Sequence, residues 1–93
     1  MAAEKIQKHI FLSGRVQGVG FRAFTRQQAA VLDIKGWVKN LADGRVEIIV
    51  QGERQKVKEM ISKLKEGPSF AKVEDIEINE EEPDDFSGFK IKY

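Results

Sequence analysis

The chain predicts an α+β fold of the ferredoxin-like class: a two-layer sandwich, βαββαβ with a short extra C-terminal strand, two helices packed on one face of a mainly antiparallel sheet. Three observations lead there. Two segments carry apolar residues at helical spacing, shorter segments between them alternate, and Asp43-Gly44 marks a tight hairpin between the second and third strands.

The elements follow in order. Ile6, Ile10 and Leu12 share a parity, which predicts a first strand over residues 6–13. From Phe21 to Leu32 the spacing of Phe24, Gln28, Val31 and the alanines predicts a helix, its start abutting a glycine-rich loop. Gly36 precedes "WVKNL", a short strand, and "ADGR" turns the chain. Val46, Ile48 and Val50 then alternate with polar residues in the clearest strand of the chain. Val57, Met60, Ile61 and Leu64 fall at i, i+3, i+4 and i+7, with Lys56, Lys58, Lys63 and Lys65 left for solvent. Gly67-Pro68 closes that second helix. Val73 to Ile78 reads as a fourth strand in which Val73 is out of phase with Ile76 and Ile78. "EEEPDD" (Glu80 to Asp85) reads as a solvated loop, and Phe89, Ile91 and Tyr93 as a closing strand.

A chain of 93 residues predicts one domain, residues 1–93. With no cysteine there is no disulfide, thiolate metal site or cysteine nucleophile, and a single histidine argues against zinc. No cofactor is expected. The N-terminal "MAAEKIQKHIFL" has no long apolar core, and no run approaches a membrane span, so a cytoplasmic protein is expected. The net charge of +1 is unevenly placed: residues 1–66 hold 13 Lys/Arg against 7 Asp/Glu, and residues 67–93 hold 3 against 8. A basic portion attracts phosphate compounds, while the acidic portion argues against a continuous nucleic-acid track. The expected partner is a small anion, with no nucleic acid and no membrane.

"GRVQGVGFR", Gly14 to Arg22, concentrates three glycines and two arginines at a strand-to-helix joint. A dinucleotide fingerprint matches Gly18, Gly20 and Ala23, but that site needs a parallel sheet and a longer chain. An RNA-binding strand fails because Val19 stands where a stacking aromatic is required and the segment precedes the first helix. The third reading is an anion cradle. Glycines let successive backbone N–H groups converge at a helix N-terminus, and Arg22 adds a bidentate guanidinium. A cation beside a helix's positive end costs a few tenths to about 1 kcal/mol, which a bound phosphate reverses. A plain glycine-rich turn with exposed arginines stays open on local features alone.

"GRVQGVGFR" followed by "GWVKNLADGRVEIIVQG" (Gly36 to Gly52) closely resembles the acylphosphatase family, and the likeness runs through "EGPSFAKV" to the terminal "FKIKY". The resemblance implies hydrolysis of carboxyl–phosphate anhydrides to a carboxylate and inorganic phosphate, without metal or covalent intermediate. Carried onto this chain, it implies Arg22 as the phosphate-binding arginine and Asn40 as the residue that positions the attacking water. It also implies a phosphate-binding loop of Arg15, Val16, Gln17, Gly18, Val19 and Gly20. A monomer is the default that size and family imply. Leu41 stands where the family often has threonine, so hydroxyl support of Asn40 from that position is absent.

The chemistry agrees with this inventory independently. A carboxylate leaves readily because its conjugate acid has a pKa of roughly 4 to 5, so no strong general acid is needed. Phosphoryl transfer is mainly positioning and electrostatics. A non-catalytic phosphate-binding or regulatory module is the competing class, since acylphosphatase-like domains also occur within larger carbamoyl-transfer proteins; nucleic-acid binding comes third. Of the remaining conspicuous residues, His9, Phe11 and Trp37 read as sheet-face or packing residues.

Overall fold

The computed structural model describes residues 4–93. Its elements are β1 (Lys5–Arg15), α1 (Phe21–Leu32), β2 (Lys35–Asn40), β3 (Val46–Glu53), α2 (Arg54–Glu66), β4 (Lys72–Glu81) and β5 (Phe89–Lys92). The strands form one sheet in the order β4-β1-β3-β2-β5. All neighbouring pairs are antiparallel except β2 and β5, which run parallel. Both helices cover one face, as the ferredoxin-like expectation requires. No helix of the described residues is long and apolar enough to cross a membrane.

The core lies between helices and sheet. Ile6, Ile10 and Leu12 of β1, Val38 of β2, and Val46, Ile48 and Val50 of β3 are buried there. They meet Phe21, Ala29 and Leu32 of α1 and Val57, Met60 and Leu64 of α2. Burying each such side chain contributes about 1.5–3 kcal/mol, which overrides the modest helix propensity of the β-branched residues.

The inward face of α1 differs from the one its spacing predicts. Phe21, Thr25, Ala29 and Leu32 are buried, whereas Val31 is 74% exposed. Phe21 opens the helix already seated in the core, and that sets the rotation of the turns behind it. Thr25 tolerates burial because its hydroxyl donates to the Phe21 carbonyl oxygen at 2.8 Å.

The phase break in β4 is a register shift. Ser13 pairs with Asp75 but Gly14 pairs with Val73, so Glu74 is the extra residue of a β-bulge. The bulge turns both Val73 and Ile76 toward the core.

The acidic segment after β4 is not a free loop. β4 and β5 are opposite edges of the sheet, so the connection between them must cross its other face. It is tied down as it crosses. Gln7 Nε2 donates to Glu81 Oε1 at 3.1 Å and to Asp84 Oδ2 at 2.9 Å, and the Asp84 N–H donates to Gln7 Oε1 at 2.8 Å. Gln51 Nε2 donates to Gln7 Oε1 at 2.9 Å and to the Asp84 carbonyl at 2.6 Å. Further along, the Gly36 N–H donates to the Gly88 carbonyl at 2.9 Å.

Candidate active site

The loop between β1 and α1 is anchored by its side chains and presents its backbone. Val16 is buried in the core, and Val19 packs against it. Gln17 Nε2 donates to the carbonyls of Leu41 and Arg45 at 2.8 and 2.9 Å. Gly18 and Gly20 have φ of +73° and +79°, a left-handed conformation that a Cβ makes costly by roughly 1–2 kcal/mol per residue. Neither glycine has a neighbour within 4 Å of a built Cβ, so backbone geometry rather than crowding demands them.

The N–H groups of Gln17, Gly18, Val19 and Gly20 donate to no backbone carbonyl among the described residues. Val16 is the exception in the loop, its N–H being taken by the Gly14 carbonyl at 3.1 Å. Gly20 caps α1 without a side-chain hydrogen bond, and no acidic residue sits in the first turn. The first intrahelical donor is Phe24, to the Gly20 carbonyl at 3.0 Å. The helix end therefore keeps its partial positive charge, and Arg22 adds a full one.

These features converge on a pocket of about 220 Å³ lined by Val16, Gly18, Gly20, Phe21, Arg22, Ala23, Asn40, Ile91 and Tyr93. Asn40 ends β2 opposite Val46 and enters from the far side of the loop. Its Oδ1 is buried and has no hydrogen-bond donor among the described residues. An orphaned amide oxygen in a pocket wall is a ready acceptor for a bound water.

Of the residues expected at the site, Val16, Gly18, Gly20, Arg22 and Asn40 line the pocket. Arg15, Gln17 and Val19 do not. Arg15 is exposed at the end of β1, paired with Lys72. Val16 contributes an anchor rather than an N–H. Tyr93 was not foreseen. The parallel register of β2 and β5, with Lys39 opposite Lys92, carries the next residue, Tyr93, alongside Asn40. Its ring lies 4.7 Å from Arg22 Cζ. Only the parallel pairing signals this, and alternation within "FKIKY" cannot reveal it.

The lining contains one cation and one carboxamide, and no carboxylate, imidazole or thiol side chain. It suits an anion that arrives with its own reactive bond and needs holding, neutralising and a placed water.

The acylphosphatase family model matches residues 8–91. An acylphosphatase of Chloroflexus aurantiacus is 53% identical over 78 residues, covering 84% of this chain and 85% of the relative. One from Trichormus variabilis is 46% identical over 90 residues, 97% and 89% of the two chains. The crystal structure of acylphosphatase from Bacillus subtilis superposes with a TM-score of 0.92 at 40% identity, covering 95% of this chain and 99% of that one. The motifs, the fold and these likenesses agree, and the chain belongs to the acylphosphatase family.

Proposed function

We propose that this pocket is where the chain's acylphosphatase activity resides, with Arg22 and the glycine loop holding the phosphoryl group and Asn40 placing the water. The observation that carries the reading is the orphaned Asn40 Oδ1 in the same pocket wall as Arg22 and the uncapped start of α1.

The phosphoryl oxygens accept hydrogen bonds from the loop and first-turn N–H groups and a bidentate pair from Arg22. Asn40 Oδ1 accepts a hydrogen bond from a water and aims its oxygen at phosphorus. As the new P–O bond forms, the bond to the acyl oxygen breaks in line, and the carboxylate leaves with the electron pair. The water's proton passes to a phosphate oxygen. Asn40 is no base, since an amide does not take a proton near neutral pH. It contributes orientation, and preorganised donors supply the charge stabilisation.

Occurrence of both Arg22 and Asn40 in one pocket supports catalysis over phosphate binding alone. The small, single-anion pocket supports an acyl phosphate or inorganic phosphate as partner.

Hydrolysis of benzoyl phosphate in EDTA tests the reading, with wild type beside Arg22→Ala and Asn40→Ala. Rapid wild-type turnover lost in both variants is the expected result. Wild type that binds phosphate without turnover would make the pocket a binding module.

A further inference from the structure

Gln17 is a loop residue that stays out of the pocket, and its side chain faces the hairpin that ends in Asn40. Its amide nitrogen spends both hydrogens on the two ends of that turn: the Leu41 carbonyl at 2.8 Å and the Arg45 carbonyl at 2.9 Å. The same carbonyls close the turn, accepting the Gly44 N–H at 3.2 Å and the Leu41 N–H at 2.8 Å respectively. Leu41 directly follows Asn40. Among the described residues no other side-chain hydrogen bond joins loop 15–20 to residues 40–45.

The anion-holding groups and the water-holding group therefore sit on separate pieces of chain. Loop and α1 carry one, the β2–β3 hairpin carries the other, and Gln17 joins them. We propose that Gln17 is a positioning residue that sets the spacing between the phosphoryl cradle and Asn40, and so the line along which water attacks. The inference rests on the site reading above. A misplacement of about 1 Å at such a site costs on the order of 10²-fold in rate. The cradle meets phosphate through backbone N–H groups and Arg22, and Val16 and Val19 also anchor the loop in the core, so loss of the Gln17 side chain disturbs phosphate binding far less than the line of attack.

Three variants, Gln17→Ala, Gln17→Glu and Asn40→Ala, are compared with wild type for kcat, KM and inhibition by inorganic phosphate. Gln17→Ala is expected to lose on the order of 10²-fold in kcat, with the phosphate inhibition constant within about threefold, as uniform loss of cradle contacts would not allow. In Gln17→Glu the introduced carboxylate faces two carbonyl oxygens, which raises its pKa above the usual value of about 4.3. Its kcat relative to wild type recovers as pH falls and the protonated carboxyl donates again. That recovery is read within one variant, so it decides the matter even where Gln17→Ala folds poorly.

Normal turnover in Asn40→Ala overturns the site reading and this inference with it. An inactive Asn40→Ala beside a Gln17→Ala whose kcat stays within threefold of wild type overturns the inference alone. Equal losses in phosphate binding and kcat, or no acid recovery in Gln17→Glu, also overturn it.

Discussion

The Arg22 guanidinium lies over the ring of Tyr93, 4.7 Å from Cζ to the ring centroid. The Arg22 side chain makes no hydrogen bond or ion pair among the described residues, so its N–H groups remain for an anion's oxygens. Tyr93 is 93% exposed, so the contact contributes only about 0.5–1 kcal/mol. Tyr93→Ala is expected to raise KM roughly two- to fivefold with a smaller change in kcat, and Tyr93→Phe to behave as wild type. Steady-state kinetics on benzoyl phosphate checks both.

Arg22 and Asn40 are expected to fail differently. Arg22→Ala removes charge-assisted hydrogen bonds worth about 1.5–3 kcal/mol, so phosphate binding weakens at least tenfold and turnover falls further. Asn40→Ala keeps phosphate binding and loses on the order of 10²-fold in kcat. Calorimetric titration with phosphate, run beside the kinetics, separates the two; parallel behaviour would contradict the division of labour.

Simple alkyl phosphate esters are expected to be poor substrates. An alkoxide leaving group needs a proton, and no side chain of the pocket lining carries a carboxyl or imidazole group to supply it. Missing general acid catalysis alone accounts for about 10²–10⁴-fold. Comparison of kcat/KM for an alkyl phosphate and benzoyl phosphate measures the gap.

His9 makes stability depend on pH. Its Nε2 lies 2.6 Å from Glu47 Oε2 and its Nδ1 2.9 Å from Glu81 Oε2, so the imidazole bridges β3 and the end of β4. Burial disfavours the charged ring, but the hydrogen bonds and charges of Glu47 and Glu81 outweigh it and raise the pKa above 6.5. The folded value lies above the unfolded one. The contribution is therefore complete below the unfolded pKa and disappears as pH rises through the raised folded value. Denaturant midpoints are expected to fall as pH rises above about 6.5, and His9→Gln to flatten that slope; an unchanged slope would remove the bridge as its cause.

The strap over the sheet face is held by buried amides. Gln7 and Gln51 are 0% and 1% exposed. Gln7→Leu leaves the Asp84 N–H and one Gln51 donor bond without their acceptor, at about 1–3 kcal/mol per orphaned group. For a domain of this size that lowers Tm by on the order of 10 °C. The kcat is expected to be unchanged, because neither residue lines the pocket.

Much of this molecule is legible in local pattern. Gly20 and Gly67 bracket elements whose limits the chain states outright, and Asp43-Gly44 places the hairpin that delivers Asn40. Arg22 stands out because a cation at a helix start is unfavourable without an anion. Local pattern misleads where burial is decided at a distance. Thr25 is no part of the spacing that predicts α1, yet the fold buries it and its hydroxyl finds the Phe21 carbonyl. The out-of-phase Val73 needs the facing Gly14 to make sense, because a bulge belongs to two strands.

Element order, and the helix that begins at a glycine loop with Arg22 in its first turn, are readable along the chain, because periodicity, turn chemistry and charge act between near neighbours; Asn40 is pointed out by the family resemblance alone. It takes the folded sheet to show that Glu80 and Glu81 extend β4 while Glu82 to Asp85 form the strap, that Gln17 reaches the hairpin, and that Tyr93 meets Arg22. Each of those depends on strand order and register, which bring together residues 24 to 77 positions apart. Such partners are chosen by which faces the sheet must bury, and no window of the chain contains that information.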